Sequence, residues 1–197
     1  MNCIQFNQVA NDYKFSGNTS AGLNKEQRVA VSSILKMKEG SIPYLLFGPA
    51  GTGKTGTLVA TIEEIVRSSN KFVLVCANSN NACDEIAKRL IGVLKVGEIF
   101  RMYAQSYSAS KLDNNIKQCC NYYPEKSGGK FIYPSLSYLY QFRVLICTLL
   151  TAGHLMRARC DRDFDSTHFS YVIIDECAGR FSPARQFSKN EKSFGGK

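Results

Sequence analysis

Nowhere in the 197 residues do eighteen apolar residues run together, and the N-terminal stretch MNCIQFNQVANDYKFSG has no basic segment leading into an apolar one. A bilayer-spanning helix needs about 20 consecutive apolar residues, and a secretory leader needs a charged head before its apolar stretch. The sequence therefore predicts a soluble, unsecreted protein with no membrane partner. Paired cysteine spacing is missing as well: the eight cysteines stand at 3, 76, 83, 119, 120, 147, 160 and 177, without a CxxC. Neither a zinc site nor a disulfide framework is predicted. Cys76 and Cys147 lie inside apolar runs, where a thiol behaves as a small hydrophobe, and a reducing, cytoplasmic setting fits that use. Acidic side chains are in deficit, 16 against 25 Lys plus Arg, for a net charge of +9. That balance favours a polyanionic partner through counterion release, and it equally describes an ordinary solvated basic face.

What the chain does contain is enough apolar material for one domain, 44% hydrophobic residues against 21% charged. Short runs rich in Val, Ile, Leu and Phe occur at Tyr44 to Phe47, Lys71 to Cys76, Arg143 to Cys147 and Tyr171 to Ile174. Continuous apolar strands of this kind suit a parallel sheet covered on both faces. Helical patterns lie between them. Asn24 to Lys38 opens on an Asn cap with Gln27 three residues on, Thr55 to Ser68 carries Leu58, Ile62, Ile65 and Val66 on one stripe, and Asn80 to Leu94 is the third. The alternation predicts a doubly wound α/β domain over residues 23–178. A polar, tyrosine-rich excursion at about 103–141 holds one short helix at most, and its tyrosines more often cover a sheet edge than stack on bases. Residues 1–22 read as a remnant or linker, and residues 179–197 as a divergent, disordered tail.

The strongest chemical signal is Gly48-Pro49-Ala50-Gly51-Thr52-Gly53-Lys54-Thr55, a GxxxxGK[ST] pattern between an apolar strand and a helix. Its glycines let backbone N–H groups turn toward a β-phosphate, the helix N-terminus adds positive potential, and Lys54 neutralises β and γ oxygens. Thr55 can offer its hydroxyl to Mg²⁺, so ATP and Mg²⁺ are the expected cofactors. The second signal is Tyr171-Val-Ile-Ile-Asp175-Glu176, an apolar strand that delivers two carboxylates at its C-terminal end, where α/β sheets place ligands. Asp175 would hold Mg²⁺ through water and Glu176 would act as general base, making Lys54, Asp175 and Glu176 the expected catalytic set.

Five ordered segments carry a resemblance: Leu23-Asn24-Lys25-Glu26-Gln27, GPAGTGKT, the run Val75 to Asp84, the run Val144 to Gly153, and IIDECA. Together they resemble consecutive motifs of the superfamily 1 RNA helicases of the nonsense-decay group, and within it the Armitage-type helicases of small-RNA silencing. The resemblance implies the first RecA-like half of an ATP-dependent 5′–3′ RNA helicase, in the cytoplasm or its ribonucleoprotein granules, with single-stranded RNA and silencing-complex proteins as partners. It implies that Gln27 reads the adenine edge, and that Ser79, Asn80 and Thr148 contact the RNA backbone. Ser79 and Asn80 stand equally where a helix cap is needed.

After Cys177-Ala178 the family would continue through a strand and the motif that couples the γ-phosphate to RNA, whereas here GRFSPARQFSKNEKSFGGK follows. The expectation is a truncated or alternatively spliced product, or a reading frame that has run into non-coding sequence, and Arg180 and Arg185 are not the arginine fingers that a second half supplies. Such a fragment would bind Mg·ATP weakly, hydrolyse it slowly and not unwind duplexes. The alternative is a non-enzymatic fragment that competes for RNA or a partner. A P-loop kinase is the weaker third reading, since no lid with acceptor-binding arginines is in view.

Overall fold

The computed structural model describes residues 13–38, 40–157 and 168–175. The first helix, α1, spans Lys25–Leu35, and its start is fixed as the sequence predicts: Asn24 Oδ1 accepts from the Gln27 N–H while Gln27 Oε1 accepts from the Asn24 N–H. Two of the orphan donors at the helix start are satisfied by this exchange. Helix α2 covers Lys54–Ser68, strand β1 Phe72–Ala77 and helix α3 Asn80–Ile91. Strand β2 is Ile99–Met102; two four-residue helices, α4 at Pro124–Ser127 and α5 at Leu136–Leu139, follow. Strand β3 at Val144–Thr148 runs directly into helix α6, Leu149–Arg157, and β4 at Phe169–Asp175 comes last.

The four strands form one parallel sheet in the order β2-β3-β1-β4. Side chains alternate across the sheet, so its two faces build two cores. On one, Val73, Val75 and Ala77 of β1 pack with Ile62, Ile65 and Val66 of α2 and with Ile86 and Leu90 of α3. On the other, Leu74 and Cys76 meet Leu145, Cys147, Leu139 of α5 and Ala152 of α6. The apolar stripe read from α2, Leu58, Ile62, Ile65 and Val66, is buried throughout. The fold is thus the doubly wound α/β arrangement of a RecA-like P-loop domain.

Two elements differ from the sequence reading. Tyr44 to Phe47 was expected as a strand, but residues 41–49 pair with no other strand and leave Ile42 88%, Leu45 83% and Phe47 96% exposed. An apolar run supplies side chains for a sheet, but a strand also needs a neighbour's free edge, and pairing is a tertiary event that composition does not encode. The outer strand β4 is paired with β1 but has one face open, with Val172 59% and Ile174 37% exposed. Conversely, β2 was missed because Arg101 interrupts its apolar run, and only its buried partners make that charge tolerable. The excursion holds two short helices, not one, and docks Ile116, Cys119, Cys120, Phe131 and Leu139 into the cores. Residues 1–12, Glu176 and the 179–197 tail lie outside the described residues.

The chain before α1 is strapped across α2 by two fully buried carboxylates. Glu64 accepts from the N–H groups of Ser16 at 3.0 Å and Gly17 at 2.6 Å, and Glu63 from Asn18 and Thr19 N–H, both at 3.0 Å. The Tyr13, Ser16 and Thr19 hydroxyls and Arg67 add further donors. Gly17 is required there, since a Cβ would lie 2.7 Å from the Glu63 carboxyl carbon. The paired Glu63→Ala, Glu64→Ala change is expected to cost about 1–3 kcal/mol and to expose the strap to cleavage. Limited proteolysis with urea titration checks this; an unchanged cleavage pattern would show that the strap is held by something else.

Candidate nucleotide and nucleic-acid site

Helix α2 ends at Ser68 and β1 begins at Phe72, so residues 69–71 alone join them and the two must run antiparallel. A helix of 15 residues is about 22 Å long and a strand of six about 20 Å, which brings the α2 N-terminus level with the C-terminal end of β1. At that end Ala77 pairs with Thr148 of β3 on one side and Asp175 of β4 on the other. Helix α3 starts after Asn78 and Ser79, and α6 starts immediately after Thr148. Three helix N-termini and the end of β4 therefore share one rim, the place where open α/β sheets bind ligands.

The loop before α2 is shaped by glycine. Gly51 and Gly53 hold φ of 80° and 81°, a region that other residues reach only with strain. Gly53 caps α2, and the first N–H to close onto the helix is Thr57, bonded to the Gly53 carbonyl at 2.9 Å. The N–H groups of Lys54, Thr55 and Gly56 thus belong to the open first turn, where no helical acceptor precedes them. Lys54 Nζ donates to the carbonyls of Gly48 and Pro49, both at 2.7 Å, so the ammonium is latched onto its own loop. Thr52 Oγ1 donates to Pro49 O at 2.8 Å and tightens the same turn.

Gln27 stands beside this loop. Its Nε2 donates to Thr52 O at 3.1 Å while its Oε1 serves the α1 cap, which leaves one amide hydrogen and one lone pair for any further contact. A Gly53→Ala change would set a Cβ 2.7 Å from Gln27 Nε2 at a φ of 81°. It is expected to cost roughly 1–2 kcal/mol, about 3–8 °C in Tm, and to push Gln27 off Thr52. A melting curve within a degree of the unaltered protein would refute the strain.

Of the residues expected to touch RNA, Ser79 and Thr148 are helix caps here. Ser79 Oγ accepts from the Ala82 N–H at 3.2 Å, and Thr148 Oγ1 accepts from the Thr151 N–H at 3.3 Å. A hydroxyl that accepts in a cap keeps its own O–H to donate, so capping and an outward contact are compatible at Ser79, whereas Thr148 Oγ1 also shares a hydrogen bond with Thr151 Oγ1 at 2.9 Å. Asn80 is partly exposed, and its Oδ1 accepts from Arg101 Nη2 at 2.8 Å. Asp175 is 8% exposed at the tip of β4.

Sequence reading missed the group behind Asn80. Arg101 is fully buried; it donates from Nε to Asp84 Oδ1 at 2.8 Å and from Nη1 to Met102 O at 2.8 Å, and lies 3.9 Å from the Tyr103 ring centre. Tyr103 donates its hydroxyl to the same Asp84 oxygen at 2.8 Å, and burial raises its phenol well above the ordinary tyrosine range. Tyr103 stacks on Tyr107 and meets Phe131, so it is core and not a base platform. An arginine inside an otherwise apolar run was the available signal.

Burial also raises the thiols of Cys83, to about 11, and Cys119, to about 12, which keeps both protonated and unreactive. Among the described residues no group of three or more His, Cys, Asp or Glu could hold a metal ion, and no helix is long and apolar enough to cross a membrane.

Residues 22–130 match a protein-family model described as an AAA domain. A Gallus gallus protein that carries the name helicase MOV-10 is 38% identical over 161 residues, which is 81% of this chain and 16% of that protein. A Drosophila melanogaster protein named for the RNA helicase armi is 30% identical over 78% of this chain and 14% of its own length. RNA helicase Mov10l1 of Homo sapiens is 29% identical over 82% of this chain and 12% of its own length. The chain thus spans about a sixth or less of each of these relatives. Loop, rim and relatives agree: the chain belongs to the AAA domain family, in the form carried by superfamily 1 RNA helicases of the Armitage and MOV-10 type.

Proposed function

We propose that this domain binds Mg·ATP at the shared rim and holds the backbone of single-stranded RNA beside it, as the ATP-binding half of an ATP-dependent 5′–3′ RNA helicase. On the resemblance of its five ordered motifs to the Armitage-type helicases of small-RNA silencing, we extend this to silencing in the cytoplasm, with silencing-complex proteins as partners. One observation carries the reading: the open turn of α2 with Lys54, and the carboxylate of Asp175, lie at the same end of one parallel sheet.

The residues suit a triphosphate. Gly48 through Gly53 wrap a turn whose following N–H groups face no helical acceptor, and Lys54 already sits against two oxygens that a phosphate could replace. Thr55, in the first turn of α2, offers a hydroxyl to the metal, and Asp175 a carboxylate through water. Bound Mg²⁺ supplies neutralisation of the charge that develops on the phosphates. Gln27, beside Gly53, keeps one donor and one acceptor for the adenine edge, and Glu176 would take the proton from the attacking water. Ser79, Asn80 and Thr148 would hold phosphate and sugar oxygens of the strand. Hydrolysis by residues 1–197 alone should be slow and strand separation absent, because arginine fingers from a second domain are worth about 10³ or more in rate.

Titration of the 197-residue chain with a fluorescent ATP analogue, with and without Mg²⁺, and with labelled oligo-uridine tests this. Saturable binding of both is the expected result. Failure to bind the analogue removes the nucleotide reading, and strand separation by the same sample removes the claim that a second domain is needed.

A further inference from the structure

Arg101 is a buried cation with a bonded acceptor at each of its three nitrogens, and one of those contacts reaches the rim. Besides Asp84 and Met102 O, its Nη2 donates to Asn80 Oδ1 at 2.8 Å and approaches Asn80 O at 3.4 Å. A guanidinium has donors only, so the oxygen of the Asn80 amide must face it. The Nδ2 amino group is therefore turned away from Arg101. Asn80 is the first residue of α3, directly after Ser79, and partly exposed. With Oδ1 taken by Arg101, the part of the amide left for an outside partner is its amino group, a donor.

We infer that Arg101 is a positioning residue, which through Asp84 and Asn80 holds an amide donor toward a phosphodiester oxygen of a strand lying across the rim. The inference rests on the proposed reading that single-stranded RNA lies there, and it names the chemistry of the contact. Without the guanidinium the amide is free to turn before a strand binds and must be ordered on binding; Arg101 fixes the donor-outward state beforehand. Phosphodiester oxygens accept and never donate, so a donor-only group fits them at every base. Asp84, one turn along α3 from Asn80, takes the neighbouring Nε–H, Met102 O holds Nη1 on the other side, and the Tyr103 ring lies against the group, which keeps the guanidinium from following Asn80 outward.

The test uses the full chain with labelled oligo-uridine and oligo-thymidine, read by fluorescence anisotropy. Asn80→Asp keeps the shape and the acceptor for Arg101 and loses both donors. It should keep or raise the melting temperature and weaken both oligonucleotides about tenfold or more, the worth of one hydrogen bond to a charged oxygen. Arg101→Lys keeps a cation for Asp84 but not the fork. It should weaken binding in the unaltered background and add nothing further in the Asn80→Ala background. Asn80→Asp binding like the unaltered protein would overturn the assignment, as would an Arg101→Lys effect of equal size in both backgrounds. A loss confined to oligo-uridine would put the contact on the ribose hydroxyl and overturn the phosphodiester assignment. Absence of binding by the unaltered chain would remove the RNA reading itself, and this inference with it.

Discussion

Asp84→Ala is expected to destabilise the fold by about 3–5 kcal/mol, a large part of the roughly 5–15 kcal/mol that holds a domain together. The carboxylate receives Arg101 Nε–H and the Tyr103 hydroxyl, each at 2.8 Å, and Arg101 is fully buried. Removing it strips a buried guanidinium of its counter-charge and leaves a buried phenol without its acceptor. Asp84→Asn retains an oxygen for both donors and should lose less. The measurement is urea unfolding of both variants. Equal losses would mean that charge neutralisation is not what the carboxylate supplies, and a loss under about 1 kcal/mol would show that solvent reaches Arg101 after all.

Lys54→Ala should be the most damaging change to nucleotide binding while leaving the fold nearly intact. In the free protein the ammonium holds two neutral carbonyls, those of Gly48 and Pro49. Binding a triphosphate exchanges these for charged oxygens. A hydrogen bond between neutral partners is worth about 0.5–1.5 kcal/mol and one to a charged partner about 1.5–3, so two exchanges gain about 2–3 kcal/mol, or roughly 30- to 150-fold in affinity. The two latch bonds lie in a partly exposed loop, where water replaces them at little cost. Fluorescent-analogue titration should therefore show the weakening with no matching fall in Tm. Undiminished affinity would place the nucleotide elsewhere.

The chemistry of this domain is written locally, and that is why much of it was legible. The GPAGTGKT loop needs glycine at positive φ, and Gly51 and Gly53 adopt it. The Asn24 and Gln27 exchange is a contact between residues three apart, and it forms as the spacing implies. The strands at residues 72–77 and 144–148 follow from continuous apolar runs that a doubly covered sheet buries, and the strand at 169–175 from a similar run that is covered on one face.

What was not legible depends on partners distant in sequence. Tyr44 to Phe47 has strand composition but no strand beside it among the described residues. Glu63 and Glu64 carry no local signal of burial, yet they are fully buried and accept from backbone donors 44 to 48 residues away. Arg101 hid β2 because its acceptors, Asp84 and Asn80, come from another element. Asn80 was legible as a residue at a strand end, but its orientation is set by a guanidinium 21 positions on.

The central claim is that the Lys54 loop and Asp175 hold one metal-bound nucleotide between them. The most direct measurement is the gain in ATP-analogue affinity on adding Mg²⁺, compared in the unaltered chain and in Asp175→Asn. The account predicts a gain of about tenfold or more, the scale of an ordinary coupling between two ligands, that largely disappears in the variant while metal-free affinity is kept. The same Mg²⁺ gain in both proteins would contradict it, since the metal would then be held without the carboxylate at the end of β4.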